Sequence, residues 1–205
     1  RSPQTTVYDG SPKELGSEIL SNGTFDSNTT GWSSVSANAM TLSQEDGIGG
    51  VDNVLKALST GDGGTLETIQ GFTGVVGTVY KLSFDIYVPS ANSEVTGVTI
   101  YPRTGGSGSG MIKFVGDYIP TADTWVSKSF YTTQTSSFDD IRFVQSDGGS
   151  DDGASGDIIY LDNISFKEVK MGNHGTTTFF NELAEDNAAD DDTGDWTKGS
   201  GMTLA

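Results

Sequence analysis

The sequence predicts an all-β protein, an antiparallel β-sandwich of the jelly-roll type. Three observations carry that expectation. Several short runs alternate apolar and polar residues with a period of two. The 28 glycines cluster between those runs. Long amphipathic helices are absent, and strands without helices build sandwiches or barrels.

The elements can be taken in order. In "GWSSVSANAMTLS", Trp32 leads through a Gly/Ser/Ala segment into a strand at Met40-Thr41-Leu42-Ser43. "VDNVLKALSTG" is the one helix candidate, with Val51, Val54, Leu55 and Leu58 on one face, but "NVLKALST" reads equally as a strand. In "VYKLSFDIYV", Leu82, Phe84, Ile86 and Val88 alternate with Lys81, Ser83, Asp85 and Tyr87. "VTGVTIYP" sets Val98 and Ile100 against Thr99 and Tyr101. In "TWVSKSFYTT", Val126 and Phe130 share one parity, and Ser127, Ser129 and Tyr131 the other. "DIRFVQS" sets Ile141 and Phe143 against Arg142 and Val144, and "IIYLDNISFKEV" closes the set with Ile164 and Phe166 in step. "RTGGSGSG" and "SDGGSDDGASGD" are loops.

Charge excludes some partners. The chain carries 28 acidic and 11 basic residues, a formal net charge of −17. Nucleic-acid backbones and anionic membranes both call for a basic surface. Acidity suits solubility or divalent cations. With no cysteine, there is neither a disulfide framework nor a thiolate metal site. No apolar run reaches the roughly 18–20 residues of a membrane span. The chain begins at Arg1 and is expected to be a piece of a longer polypeptide.

A repeat supports that expectation. Thr5-Thr6-Val7-Tyr8 matches Thr176-Thr177-Thr178-Phe179, and Glu14-Leu15 matches Glu182-Leu183. Trp32 matches Trp196, and Met40-Thr41-Leu42 matches Met202-Thr203-Leu204. The period of about 165 residues is that of a domain. The expected organisation is an extended arm or linker at 1–13, one complete domain at 14–170, and a linker with the start of a second unit at 171–205.

The ordered set "ILSNGTFDSNTTGW", "VYKLSFDIYV", "TWVSKSFYTT" and "GDIIYLDNISFKEV" resembles the carbohydrate-binding jelly rolls of the group containing families four, nine and twenty-two. The resemblance covers Glu14 to Val169. Similar domains occur in tandem in bacteriophage tail fibres and other virion surface proteins, and "GNHGTTTFFNEL" resembles the linkers between them. The resemblance implies a structural calcium between the segment after the first strand and the last strand. Asp26 after "NGTF" and Asp162 in "YLDN" stand at the matching positions, although the family often has Glu where this chain has Asp26. Hard oxygen ligands suit calcium. Without an ion, Asp26 would cap a turn and Asp162 would sit at a bulge.

A sugar-binding surface needs an aromatic ring for the apolar face of a pyranose and planar polar groups for its hydroxyls. Tyr87, Tyr101 and Tyr131 fall on the parity opposite the core, with Asp85, Lys81 and Arg142, and Arg103 follows Tyr101. If their strands are neighbours in one sheet, these residues line one surface. Cross-strand pairing of exposed tyrosines would explain the same pattern without a ligand. Trp32, repeated as Trp196, is expected in the core, and Trp125 is expected to pack.

Catalysis finds little support in the sequence. Asp139-Asp140 and Asp151-Asp152 are adjacent acids expected in loops, whereas a glycosidase sets its carboxylates roughly 5–10 Å apart across a substrate. The single histidine, His174, lies in the linker. The expectation is a non-catalytic virion surface module that recognises a host-surface polysaccharide and assembles with other virion chains as a homo-oligomer. The alternatives are an architectural virion spacer and an accessory module of a secreted bacterial protein. Neither nucleic acid nor membrane is an expected partner.

Overall fold

The computed structural model describes residues 14–35, 40–61, 66–103, 115–134, 140–146 and 153–170, with backbone alone for 101–103 and 115–117. The expected arm at 1–13 and the expected second unit at 171–205 lie outside the described residues, as do Asp139, Asp151, Asp152 and His174.

The described residues form strands and no helix, in the order β1 (Glu14–Glu18), β2 (Ser33–Ser34), β3 (Met40–Glu45), β4 (Val54–Ser59), β5 (Glu67–Gly71), β6 (Val79–Tyr87), β7 (Gly97–Arg103), β8 (Val115–Tyr118), β9 (Val126–Thr133), β10 (Asp140–Ser146) and β11 (Ile158–Lys170). Two antiparallel sheets result. The first has the order β3-β4-β11-β6-β9, with β1 also on β11, and the second has the order β2-β5-β10-β7-β8.

The segment left open between helix and strand is strand β4. It lies between β3 and β11, which satisfy its backbone on both sides and turn Leu55 and Ala57 inward. Two flanking ladders outweigh a short helical pattern. Strand β6 follows its alternation strictly: Leu82, Phe84 and Ile86 are buried, and Lys81, Ser83, Asp85 and Tyr87 face outward, half-buried. Asp140, expected in a loop, instead opens β10.

The core fills the space between the sheets. Phe25, Phe84, Phe143 and Phe166 are almost wholly buried. Each such side chain contributes about 2 kcal/mol relative to exposure. Trp32 packs between Phe25 and Phe143, at ring distances of 5.9 and 6.1 Å, as expected. Its indole N–H donates to the carbonyls of Ser21 and Asn22 at 3.3 and 3.2 Å.

Strand β11 organises the first sheet. One edge pairs with β6; the other pairs first with β4 and then with β1. Between those two partners the segment after β1 takes over. The Ile164 N–H donates to the Gly23 carbonyl at 2.9 Å, and the Ile19 N–H to the Phe166 carbonyl at 3.0 Å. Gly23 is required there, since a Cβ would stand 1.9 Å from the Ile164 oxygen. Strand β11 bulges between Asp162 and Ser165, with Asn163 at φ 49°.

Candidate functional site

Strand β10 breaks the expected pattern. Ile141 and Phe143 point into the core, so Arg142 and Val144 project from the opposite face of the second sheet. An outward arginine on a two-sheet sandwich would ordinarily be wet. Arg142 is only 4% exposed, and its neighbour Glu67 1%.

The Arg142 guanidinium is engaged through all three of its nitrogens. Its Nε and Nη2 donate to the two carboxylate oxygens of Asp140, each at 2.8 Å, and Nη1 donates to Glu67. Burial works against the Arg142 charge, but the Asp140 hydrogen bonds and the charge of Glu67 outweigh it and hold its pKa above the ordinary value. Buried ion pairs rarely add stability over an apolar packing, and a broken one is costly. By register, Tyr101 lies opposite Arg142, and Arg103 opposite Asp140. Backbone pairing thus brings Tyr101, Arg103 and Arg142 together, with Asp140 and Glu67 beside them.

Tyr87, Asp85 and Tyr131 lie elsewhere. They belong to β6 and β9, on the outer face of the first sheet. The expected single surface is thus two surfaces on opposite sides of the sandwich. Parity assigned each residue outward correctly, but the strands sort into different sheets.

On the first sheet the Tyr87 ring packs 5.6 Å from Trp125 and 5.9 Å from Tyr160. Burial, then the neighbouring Asp123 carboxylate, raises the Tyr87 pKa. Trp125 donates its indole N–H to the Ile48 carbonyl at 2.7 Å, which ties the β3–β4 loop to this cluster. Trp125 packs as expected, although outside the core. Tyr131 is 59% exposed, with the Lys81 ammonium 5.9 Å from its ring centre.

Asp162 and Asp26 come from opposite ends of the domain. Asp162 is buried at the β11 bulge, and its Oδ1 has no hydrogen-bond partner. Burial first, and then the charges of Asp85 and Asp26, push its pKa up to about 6. Phe25, just before Asp26, is held at φ 51° with its ring wholly buried. Among the described residues no three acidic or histidine side chains are grouped closely enough to hold an ion alone. The orphaned buried oxygen and the crowding of negative charge nevertheless suit a hard cation, with backbone carbonyls and water completing its shell. Asp85, expected to touch sugar, is instead held by the Asn163 amide, which donates to Asp85 at 2.8 Å and to Asp162 at 3.1 Å.

Sequence reasoning missed Glu67, Asp140 and Tyr160. Strand β5 carries Thr68 and Gln70 on its buried side, so "ETIQG" shows no apolar alternation. Tyr160 could have been found, because in "IIYLDN" its parity is opposite that of Ile159 and Leu161.

No family model and no curated protein matches the chain. Solved structures do. The tandem CBM22-1–CBM22-2 domain of Paenibacillus barcinonensis Xyn10C aligns at a TM-score of 0.56 and 14% identity, over 82% of this chain and 50% of that one. A structure described as family 16 carbohydrate binding module-2 aligns at 0.51 and 16%, over 72% and 98%. The enzymatically active domain of tailspike protein 4 of bacteriophage CBA120 aligns at 0.53 and 15%, over 74% and 21%. The fold is therefore the carbohydrate-binding-module type of jelly roll that the sequence resembles.

Proposed function

We propose that this domain is a non-catalytic glycan-recognition module whose binding surface is the outer face of the second sheet. The observation that carries this reading is the buried Arg142–Asp140–Glu67 cluster on a face directed away from the core. The ion pairs tie β5 to β10 and so hold rigid the face to which β7 brings Tyr101 and Arg103. Tyr101, opposite Arg142 in register, is the aromatic candidate.

The non-catalytic reading has support in the fold likeness and in one local detail. Asp85 and Asp162 pair across β6 and β11, and one has a raised pKa, as a glycosidase acid would. The Asn163 amide bridges their two carboxylates, in the place where a substrate or water would have to stand. Calcium at Asp26 and Asp162 would be structural, joining the segment after β1 to β11.

The setting belongs to the same proposal: a phage appendage or other virion surface protein, carrying the domain in tandem and contacting a host-surface polysaccharide. Repetition would multiply weak single-site binding. A secreted bacterial accessory module is the alternative setting.

The test is a glycan-array and whole-cell binding assay of the multivalently presented chain, wild type against Asp140→Asn. That change keeps the buried Arg142–Glu67 pair while removing a charged acceptor. Loss of binding of about tenfold, the scale of one charge-assisted hydrogen bond, is expected with the fold intact. A folded protein silent on every glycan would overturn the reading in favour of an architectural spacer.

A further inference from the structure

The open edges of the two sheets are protected unequally. Strands with one neighbour are β1, β3 and β9 in the first sheet and β2 and β8 in the second. An unpaired edge is a template for another chain, and folded proteins shorten, bulge, charge or cover it. Strand β2 has two residues. Strand β8 has four, and its pairing with β7 shifts register between Val98 and Ile100. Strand β1 carries Glu14 and Glu18 and is bulged against β11. Strand β3 carries Glu45, and its Met40 carbonyl accepts from the Ser34 hydroxyl at 3.2 Å.

Strand β9 has none of these devices. Its eight residues pair with β6 in one unbroken register, from Val126 opposite Ile86 to Thr133 opposite Val79. It holds no proline and no acid, in a chain with 28 acidic residues. Its one charged residue, Lys128, has its ammonium 5.3 Å from the Tyr118 ring centre, drawn toward β8. Ser127, Lys128, Ser129 and Thr133 are exposed, and among the described residues no strand pairs with the far side of β9. Val126, Phe130, Tyr131, Thr132 and Thr133 are residue types that favour strands.

We infer that β9 is the interface of a two-fold homodimer, in which two copies pair their β9 strands antiparallel and join their first sheets. Only every second residue of an edge strand directs its N–H and C=O outward, so antiparallel copies pair residues of like parity. The registers of greatest overlap are centred on Ser129 or on Phe130. Lys128 then faces Phe130 or Thr132 of the partner subunit, and no like charges are directly opposed. The missing acid selects a second copy of the chain. Each copy carries a net charge of −17, and two such chains repel least along an edge free of Asp and Glu. A two-fold axis perpendicular to the joined sheet keeps both second sheets on one side, so the two Arg142 faces point the same way. That orientation suits two-point attachment to one polysaccharide.

The test is sedimentation velocity of the full 205-residue chain over a concentration series, at about 0.15 M salt to shorten the range of the repulsion. An eight-residue edge is a small interface, so a dimer forming at about 10–100 μM is expected. Ser129→Glu should weaken association by about tenfold or more, since like charges then meet near the axis. Thr41→Glu, on edge strand β3, changes net charge equally and should leave association within about twofold of wild type. Hydrogen exchange of the wild-type chain gives a reading independent of any variant: protection of residues 126–133 should rise with concentration. A chain that stays monomeric up to about 1 mM would overturn the inference. So would a dimer weakened equally by Ser129→Glu and Thr41→Glu, or one that leaves exchange in β9 unchanged. A dimer lost on deletion of residues 1–13 yet indifferent to Ser129→Glu would also overturn it, and would assign the contact to the arm.

Discussion

The rings of Tyr87 and Trp125 are packed 5.6 Å apart, beneath the β3–β4 loop. Gly49 of that loop has φ +56°, and a Cβ there would stand 3.0 Å from the indole and 3.1 Å from the Tyr87 ring. Tyr87 is therefore a structural clasp, while Tyr131 on the same face is 59% exposed.

Tyr87→Ala and Gly49→Ala should each destabilise the domain by about 1–3 kcal/mol, through lost packing in one case and backbone strain in the other. Tyr131→Ala should leave the melting temperature within about 1–2 °C of wild type, as surface changes do. Thermal melts followed by tryptophan fluorescence separate the cases. Equal melting of all three variants would contradict the clasp.

Asp157 gives the expected acid response. Its carboxylate accepts from the backbone N–H groups of Ser93, Glu94, Val95 and Ala154 at 2.6 to 3.2 Å. Burial opposes its charge, but these four bonds win and hold its pKa below the usual carboxylate range. A depressed folded-state pKa stabilises above the unfolded-state value, and that stability is lost as pH falls through the folded-state value. Stability should thus drop below about pH 4. Asp157→Asn should remove that part of the acid dependence and cost about 2–4 kcal/mol at neutral pH. Chemical denaturation across pH checks both, and an unchanged acid limb in the variant would refute the assignment.

Calcium at Asp26 and Asp162 predicts a melting temperature that rises with added calcium and falls with chelator. At a free-ion concentration 100 times the dissociation constant, the gain is about 2.7 kcal/mol. Asp26→Asn should abolish the response without unfolding the calcium-free protein. Identical melting curves with calcium and with chelator would remove the ion from the account.

Much of the fold was legible because burial against one core imposes a period of two. Strand β6 was readable residue by residue, and Trp32 could be assigned to the core from its repeat at Trp196. Strand β5 was not, because its buried positions are Thr68 and Gln70, whose polar groups are accommodated by partners distant in sequence. Gln70, for example, accepts from the Ser21 N–H at 2.6 Å.

The sequence by itself determined which side of its own strand each residue occupies. Tyr87, Tyr131 and Arg142 all point away from the core, as alternation required. Only the tertiary structure decided which of them share a surface. Alternation is a property of one strand, whereas neighbourhood depends on strand order, set by contacts across the whole domain. Strand β6 joined β9 and β11, while β7 joined β10. That sorting separated Tyr87 from Arg142, gathered Glu67 and Asp140 around the arginine, and set Lys81 opposite Lys167.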